Sequence, residues 1–570
     1  MTLQTRPETA PEAAPASAPL VAERDTIADL LAAAIRAIGV EHVFTLMGAG
    51  NLRLVHHLAA DYGVQVHHLR HENTAIGAAD GFARTTGEVG WCTVTQGPGF
   101  TNIFTALITA AKGSTPLVLV TADSSNLDER IAPFAGGIQG LDPEIMLKPL
   151  GIPVIRATFD SAADDLVDAY LLARDERRPV VFVLPAGLDT KHAPSMSVDA
   201  AAARAAVRVA PAVHPLDAAA VGAAADELLA ARHPVILAGR GALDARSLLV
   251  ELADLVGAHL STTIKATGLF HGVPSDLGIF GGFSHETAAE TIHASDCILA
   301  VGAAVNLFQT RKSVLVENAR LLQIDTDPAA FGQYEPVTVG IVGDAVQAVS
   351  ALIDAVRLRL TERGESGRTA PDAPQPAPFA DVSTIGSLDP RVVCERLDVL
   401  LSADRTVVID NGHFGSFPIM HLTHTDPAGF VWLSDFGAIG CAIGAGIAAA
   451  VAHPDSQAVL FIGDCGFYMT MGDFETAVRE KIPLLVVCMN DGAAGSELQH
   501  MKDWSVPTAE AIFGVADIAA AAAGMGSQAA LISSLDELEP ALAGWQRERG
   551  PLFLDVHISR AVRSPIYDHV

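Results

Sequence analysis

Two short apolar runs, each followed two residues later by an acidic residue beside glycine, constrain the fold of this chain more than any other feature. Residues 459–462 are apolar and lead into Asp464, and residues 484–489 are apolar and lead into Asp491, with a helical stretch between them. Strand, helix and strand in this order are typical of a parallel sheet, whose ligands gather at the carboxyl ends of the strands. The pattern predicts that Asp464 and Asp491 lie at neighbouring strand ends.

The chemistry of these strand ends indicates a ligand. Carboxylate and carbonyl oxygens suit a hard cation such as Mg²⁺, which usually keeps phosphate oxygens in its coordination shell. The adjacent glycines let the backbone approach a ligand closely. The residues therefore predict a Mg²⁺–diphosphate site, although two ordinary strand-to-helix turns would leave the same local pattern.

The rest of the chain repeats the alternation of strand and helix, which predicts an α/β fold of three doubly wound parallel-sheet domains. The predicted boundaries are a disordered leader at 1–23, a first domain at 24–190, a connector at 191–210, a central domain at 211–360, a Pro-rich linker at 361–386 and a third domain at 387–570.

Composition excludes several classes of function. The net charge of −29 argues against nucleic acid and against an anionic membrane surface, because phosphate binding depends on Lys and Arg. No stretch has the length and apolarity of a membrane span, and the leader lacks the apolar core of a signal peptide, so we expect a cytoplasmic protein. The six cysteines show no paired spacing, which favours buried thiols in a reducing compartment.

Three segments together resemble one enzyme superfamily. Residues 463–492 resemble the thiamine diphosphate signature, Gly-Asp-Gly followed after about thirty residues by Asn-Asn; RHENTAIGAADGFAR at 70–84 resembles the segment with the catalytic glutamate; and 435–454 resembles the glycine-rich helix. The chain is thus similar to the acetohydroxyacid synthase and 2-oxo acid decarboxylase superfamily. The resemblance implies pyrimidine-binding, central and diphosphate-binding domains in that order.

The resemblance implies thiamine diphosphate and Mg²⁺ as cofactors. The metal ligands would be Asp464, Asp491 and the carbonyl of Ala493, and an alternative register would use Asn490 and the carbonyl of Gly492. We prefer the first register because it keeps the family's spacing to Gly495. Cys465 replaces a glycine of the signature, and Asp491 replaces its second Asn. The implied cofactor-binding set is Glu72, Gly412, His413, Ile439, Gly463, Asp464, Cys465, Gly466, Asp491, Ala493 and Gly495.

The family's chemistry gives Glu72 a specific role. Its carboxyl would hydrogen-bond a ring nitrogen of the aminopyrimidine and so promote formation of the ylide. Ile439 would support the bent shape of the cofactor. It would otherwise be assigned to the core, and the two interpretations coincide because the support is steric.

Four further polar residues are candidates for catalysis. Gln96 precedes a Gly-Pro-Gly loop that lines the active site in the synthases, but it could bond only backbone. Gln139 matches a glutamine of those enzymes, although its flanks differ. His413 is a candidate proton shuttle, or a loop histidine that faces solvent. His500 stands where the synthases have a selectivity tryptophan, and residues 497–500 lie where substrate choice would be made.

The central domain carries weaker signals. Its Asp325-Thr326-Asp327 segment resembles the family's, and a glycine turn occurs at 239–241. Flavin-binding synthases have Arg-Phe-Asp-Asp-Arg where this chain has Ala-Val-Asn-Leu-Phe at 304–308. FAD is therefore possible but not favoured.

The resemblance implies a thiamine diphosphate-dependent carboligase or lyase that acts on a 2-oxo acid or acyloin through a ylide and an enamine. Small-molecule 2-oxo acids, aldehydes or ketones are the expected substrates. Acetolactate formation itself is disfavoured, because Leu-Pro-Lys-Asp is replaced at 184–187 and the tryptophan at His500. Simple decarboxylation and a non-catalytic scaffold are the alternatives. In this family each site joins the first domain of one subunit to the third of another, which implies a homodimer or homotetramer.

Overall fold

The computed structural model describes residues 25–123, 138–193, 198–207, 215–548 and 550–568. The predicted leader at 1–23 lies outside these residues. Three six-stranded sheets account for all the strands of the described chain, and every strand pair in them is parallel. The predicted α/β fold with three doubly wound parallel-sheet domains is confirmed.

The first domain has the strand order β2-β1-β3-β4-β6-β5. Its elements are α1 (Ile27–Ala37), β1 (His42–Leu46), α2 (Leu52–Ala60), β2 (Gln65–His68), α3 (Glu72–Thr86), β3 (Gly90–Val94), α4 (Pro98–Thr101), α5 (Phe104–Gly113), β4 (Leu117–Asp123), α6 (Pro143–Leu147), β5 (Val154–Arg156), α7 (Ala162–Glu176) and β6 (Pro179–Pro185).

The segment predicted as a connector contains a helix, α8 (Val198–Ala206). Arg204 of this helix pairs with Asp164, at 2.7 Å, and with Asp168 on α7. An Ala-rich stretch has strong intrinsic helix propensity, and here it also finds a neighbouring helix to pack on. Part of the predicted connector therefore belongs structurally to the first domain.

The central domain has the order β12-β11-β10-β7-β8-β9. Its elements are α9 (Ala218–Ala230), β7 (Pro234–Ala238), α10 (Arg246–Val256), β8 (His259–Thr262), β9 (Asp276–Ile279), α11 (Glu286–His293), β10 (Cys297–Val301), β11 (Arg320–Asp325), β12 (Val339–Val342) and α12 (Ala345–Arg363). The chain reverses its direction of travel across the sheet between β7 and β10, where open α/β sheets form a ligand crevice.

Helix α12 extends into the predicted Pro-rich linker, and no helix or strand follows it as far as residue 383. Arg368 in this segment donates hydrogen bonds to the carbonyls of Leu229, at 2.9 Å, and Ala231, at 2.5 Å. The linker is therefore attached to the central domain along part of its length.

The third domain has the order β14-β13-β15-β16-β18-β17. Its elements are α13 (Pro390–Leu400), β13 (Arg405–Ile409), α14 (Ser416–His421), β14 (Phe430–Trp432), α15 (Ala442–Ala452), β15 (Gln457–Gly463), α16 (Asp464–Arg479), β16 (Leu484–Asn490), α17 (Gly495–Asp503), α18 (Ile518–Gly524), β17 (Gln528–Ile532), α19 (Leu538–Glu548) and β18 (Leu552–His557).

Helices α3 and α15 join the first and third domains in one apolar core. A Cβ added to Gly444 on α15 would lie 2.3 Å from the carbonyl oxygen of Thr74, and one added to Gly81 on α3 would lie 2.4 Å from the Cα of Ala445. Such distances require glycine, because a side chain would overlap the opposite backbone. The Ala/Gly-rich sequences of both helices are thus explained by their close approach.

Among the described helices, none combines the length and the apolar character that crossing a bilayer requires.

Candidate active site

The two acidic residues that follow apolar strands lie at one edge of the third sheet. Strands β15 and β16 pair in parallel, with Gly463 opposite Met489. Asp464 is therefore close to Asp491, and both side chains are largely buried. The prediction that these strand ends are neighbours is confirmed.

Burial makes the charged form of both carboxyl groups less favourable. Loss of solvent, and then the charge of Asp491, raises the pKa of Asp464 to about 7. Burial likewise raises the pKa of Asp491 to about 6. No ion pair to either group occurs among the residues that the structure describes. Because buried charges are costly without a partner, a bound cation would stabilise both carboxylates.

The backbone beside Asp491 supplies a third oxygen. Asp491 Oδ1 accepts a hydrogen bond from the N–H of Ala493 at 2.9 Å. The Sγ of Cys465 lies 3.6 Å from the carbonyl oxygen of Ala493 and donates to it. A Cβ on Gly495 would lie 2.9 Å from Asp491 Oδ2, so glycine keeps this space open. Two carboxylates and a carbonyl fit a hard cation such as Mg²⁺.

The residues of the alternative register have other partners. The Nδ2 of Asn490 donates to Asp555 Oδ1 at 2.9 Å and to the carbonyl of Ala516 at 3.1 Å. The Oδ1 of Asn490, the atom that would bind a metal, accepts from the N–H of Gly492 at 3.1 Å. The carbonyl of Gly492 accepts from two backbone N–H groups, those of Phe513 and Gly514. Since these polar groups are already satisfied within the protein, the geometry favours Asp491 and Ala493 over Asn490 and Gly492 as metal ligands.

A cavity of about 1590 Å³ opens above these strand ends and extends towards the central domain. All of the predicted cofactor-binding residues except Glu72 line it: Gly412, His413, Ile439, Gly463, Asp464, Cys465, Gly466, Asp491, Ala493 and Gly495. Ile439 is 37% exposed and faces the cavity, so its place is on the wall and not in the core.

His413 has a different environment from either predicted one. It is only 4% exposed, and its Nε2 accepts a hydrogen bond from the backbone N–H of Ser564 at 3.0 Å. Burial lowers the pKa of His413 to about 4, so the ring is neutral at neutral pH. The alternative of a solvent-facing histidine is wrong, because the C-terminal segment covers the ring.

This C-terminal segment is a part of the site that sequence reasoning missed. Tyr567 lines the cavity and donates from its hydroxyl to Ser496 Oγ at 2.6 Å. Arg563 holds the segment to Asp503 through two contacts of 2.8 and 2.9 Å. No local motif marks residues 563–567, since their place depends on contacts with residues far away in the sequence.

His500 lies behind this wall. Its ring stacks on Trp504, with centroids 6.1 Å apart, and meets the ring of Tyr567 edge-on at 5.3 Å. His500 is not among the residues that line the cavity. The predicted catalytic residue therefore contacts the cavity wall through Tyr567.

The polar residues predicted on the first domain gather at a separate place. Glu72, the first residue of α3, is buried and accepts a hydrogen bond from Asn102 Nδ2 at 2.9 Å. Gln96 donates to Gln139 Oε1 at 2.9 Å and accepts from the hydroxyl of Thr95 at 3.0 Å. The alternative in which Gln96 bonds only backbone is thus wrong. None of these three predicted residues lines the cavity, so the predicted site residues lie in two separate places within one chain.

The cavity continues into the crevice of the central domain, past Arg240, Lys265 and Asp325. The glycine turn at 239–241 has a packing role there. A Cβ on Gly239 would lie 2.1 Å from the carbonyl oxygen of Gly302, which directly follows β10. Contact between two loops accounts for this glycine.

Comparison with known proteins assigns a family to this arrangement. Residues 25–145 match the N-terminal TPP binding domain of thiamine pyrophosphate enzymes, residues 221–352 their central domain, and residues 410–556 their C-terminal TPP binding domain. The three matches fall on the three sheets and cover most of the chain.

Full-length relatives point in the same direction. The chain is 29% identical to the probable 2-ketoarginine decarboxylase AruI of Pseudomonas aeruginosa, with 90% of each chain covered. It is 25% identical to the acetolactate synthase large subunit of Haemophilus influenzae, over 84% of this chain and 83% of that one. It is also 25% identical to the putative thiamine pyrophosphate-containing protein YdaP of Bacillus subtilis, over 91% and 89%. The chain therefore belongs to the thiamine pyrophosphate enzymes, in the group with the acetolactate synthases and 2-oxo acid decarboxylases.

Proposed function

We propose that this protein is a thiamine diphosphate- and Mg²⁺-dependent carboligase or lyase that acts on a 2-oxo acid or an acyloin. The observation that carries the proposal is the pair of buried carboxyl groups, Asp464 and Asp491, beside the carbonyl of Ala493. When bound, thiamine diphosphate supplies a carbon nucleophile and an electron sink that allows a 2-oxo acid to lose CO₂.

The residues of the third domain would hold the cofactor. Asp464, Asp491 and the carbonyl of Ala493 would bind Mg²⁺, and Mg²⁺ would bind the diphosphate. Ile439 presents an apolar face to the cavity, where it would support the cofactor sterically. Neutral His413, fixed by the backbone of Ser564, would present its Nδ1 side without adding a charge.

Glu72 would act on the aminopyrimidine from the first domain. Because Glu72 does not line the cavity that contains Asp464, we propose that a second copy of the chain supplies it, as in a homodimer or homotetramer. Asn102 orients the Glu72 carboxylate through one oxygen and leaves the other available for a ring nitrogen. The turn at residues 97–99 adjoins both Gln139 and the Glu72 carboxyl, so Gln96 and Gln139 are neutral groups that a substrate bound there could contact.

Glu497 suggests the class of donor. It lies in the first turn of α17, lines the cavity and is exposed, and no ion pair to it occurs within the described part of the chain. The relative from P. aeruginosa is named for 2-ketoarginine, a 2-oxo acid with a cationic side chain. We propose that Glu497 binds a cationic group at the far end of the donor.

Calorimetry and product analysis test the proposal. The protein should bind thiamine diphosphate only weakly without Mg²⁺ and tightly with it. A panel of 2-oxo acids and acyloins, with and without aldehyde acceptors, should then give products that mass spectrometry identifies. Release of an aldehyde without a ligated product would support simple decarboxylation. Absence of Mg²⁺-dependent binding would support the non-catalytic scaffold. Absence of flavin absorbance in the purified protein would agree with the prediction against tightly bound FAD.

The substitution Glu497→Gln tests the donor class separately. It should lower kcat/KM for a cationic 2-oxo acid by about tenfold or more, because hydrogen bonds to charged groups contribute about 1.5–3 kcal/mol. It should leave a neutral 2-oxo acid of similar length nearly unaffected. Equal effects on both substrates would rule out recognition of a cation by Glu497.

A further inference from the structure

The third domain holds the start of the helix that carries Glu72. Asp473, on α16, accepts hydrogen bonds from the backbone N–H groups of Arg70, at 2.8 Å, and His71, at 3.1 Å, through its Oδ1. Its Oδ2 accepts from the hydroxyl of Thr74 at 2.9 Å. These three donors lie on both sides of Glu72 in the sequence.

The first N–H groups of a helix have no partner within the helix, so the turn into α3 needs acceptors from elsewhere. Within the turn, the His71 side chain accepts from the N–H of Asn73 at 3.0 Å. Asp473 supplies the acceptor for the two N–H groups just before Glu72. Both Asp473 and Thr74 are buried, so these bonds are shielded from water.

Two other acidic residues, Glu475 on α16 and Glu480 just after its end, contact nearby residues of the first domain in a different way. Glu475 pairs with the Arg70 side chain, Nε to Oε2, at 2.7 Å, and this pair is exposed. Glu480 accepts a hydrogen bond of 2.7 Å from the ring of His67, which lies on β2. Exposed ion pairs contribute little to stability. Asp473 is thus the acidic residue of α16 that binds buried backbone next to Glu72.

We propose that Asp473 is a positioning residue for Glu72, and that α16 links the two functional edges of the fold. The helix begins at Asp464, which would bind the metal, and Asp473 lies nine residues later, about 14 Å along the helix axis. The role of Glu72 itself rests on the proposed function. The position of the Glu72 carboxyl matters because a displacement of about 1 Å in a catalytic group can lower the rate about 100-fold.

Three substitutions separate this role from a general structural one. Asp473→Ala should lower kcat at saturating cofactor at least about tenfold, because the two N–H groups lose their acceptor and Glu72 shifts. Asp473→Asn should retain most of the activity, since the amide oxygen can accept from both N–H groups while its NH₂ donates to Thr74. Glu475→Ala, the matched exposed control, should change kcat less than about twofold. The Kd for thiamine diphosphate with Mg²⁺ should stay nearly unchanged in all three variants, because none of them removes a residue that would hold the cofactor.

Hydrogen exchange gives a readout that needs neither cofactor nor substrate. In the protein without cofactor, Asp473→Ala should speed exchange in the peptide that contains residues 70–74 at least about tenfold, because its protecting bonds are lost. Glu475→Ala should leave that exchange unchanged. Exchange equal to that of the unsubstituted protein in a folded Asp473→Ala variant would overturn the proposal, as would an equal loss of kcat in Glu475→Ala.

A milder change covers the case in which Asp473→Ala fails to fold. Thr74→Val conserves the shape of the side chain, removes one of the three donors and leaves both backbone bonds. It should raise exchange in the same peptide and lower kcat, each by less than Asp473→Ala is expected to do; no effect on either would overturn the proposal. If the unsubstituted protein binds no thiamine diphosphate, the proposed function fails, while the exchange result still decides whether Asp473 fixes this turn.

Discussion

The first and third domains have the same strand order but carry different chemistry. Numbered within each domain, both sheets read 2-1-3-4-6-5. Helices α3 and α15 occupy equivalent positions, each after the second strand of its domain, and they pack against one another through glycine. The two domains thus face each other as related halves.

The difference between the halves lies in the loops at the strand ends. The third domain presents Asp464 and Asp491 to a large cavity, whereas the first presents a buried Glu72 that is bonded to Asn102. One edge is suited to binding a cation and a diphosphate, and the other to proton transfer. The two domains therefore share one topology, and the side chains at their strand ends make the chemistry of the two edges different.

The largest effect should come from the acidic pair of the third domain. Asp464→Asn or Asp491→Ala should weaken Mg²⁺-dependent binding of thiamine diphosphate by about 100-fold, because the first removes a charge from a ligand of the cation and the second removes a ligand altogether. Titration calorimetry measures the change. The matched control is Asp455→Asn, because Asp455 is exposed and lies just before β15, at the opposite end of that strand from Asp464. If both variants bind thiamine diphosphate as tightly as the unsubstituted protein, the third-domain edge is not the one that binds the cofactor.

The complementary change in the first domain should separate binding from turnover. Glu72→Gln should lower kcat about 100-fold or more, the usual contribution of a general acid–base group, while the affinity for thiamine diphosphate falls much less. The exposed Glu88→Gln is its control. Steady-state kinetics and calorimetry on the same samples measure both quantities. If Glu72→Gln instead lost most of its affinity for thiamine diphosphate while kcat stayed unchanged, Glu72 would bind the cofactor and would not take part in proton transfer.

Mixing these variants tests whether the halves work across two chains. If each site joins two subunits, a hybrid of Asp464→Asn and Glu72→Gln chains has one intact site. Random reassociation of a dimer should then restore about a quarter of the activity. If each chain holds its own complete site, both sites of the hybrid are defective and mixing restores nothing.

A smaller effect is expected where the two equivalent helices meet. Gly444→Ala places a Cβ against the backbone of Thr74 and should lower the free energy of unfolding by about 1–3 kcal/mol, as overpacking does. Gly524→Ala is the control, since it is also helical and nothing lies within 4 Å of its added Cβ. Thermal unfolding compares the two. Equal midpoints of thermal unfolding for the two variants would mean that α3 and α15 move apart without a measurable cost in stability.

The last prediction concerns the pH dependence of stability. Burial lowers the pKa of His413 to about 4, so between about pH 6.5 and pH 4 the unfolded chain binds a proton that the folded chain does not. Stability therefore falls as pH falls through this window, by about 1.4 kcal/mol per pH unit for this group. His413→Gln should reduce the loss of thermal stability between pH 7 and pH 5, whereas exposed His233→Gln should not. An unchanged pH profile for His413→Gln would contradict the burial effect.

Much of the third-domain site could be predicted from local sequence. An apolar run, a Gly-Asp turn, a helix and a second run specify neighbouring parallel strands, so Asp464 and Asp491 had to meet at one edge. Spacing to Gly495 already favoured Asp491 over Asn490 as a metal ligand. The structure adds a contact that spacing does not show, because Asp555, 65 residues further on, binds the Asn490 amide. His413 is a similar case, because Ser564, which covers its ring, is 151 residues away.

The sequence by itself determined the three α/β domains, the strand ends that carry acidic residues and the glutamate at the start of α3, because strand periodicity and turn residues act over short distances. Only the tertiary structure decided which polar groups are already satisfied and which face the cavity. It placed Tyr567 on the wall and His500 behind it, and it brought Asp473 to the turn before Glu72. Hydrogen bonds between residues hundreds of positions apart depend on how the domains pack, and no local spacing specifies that packing.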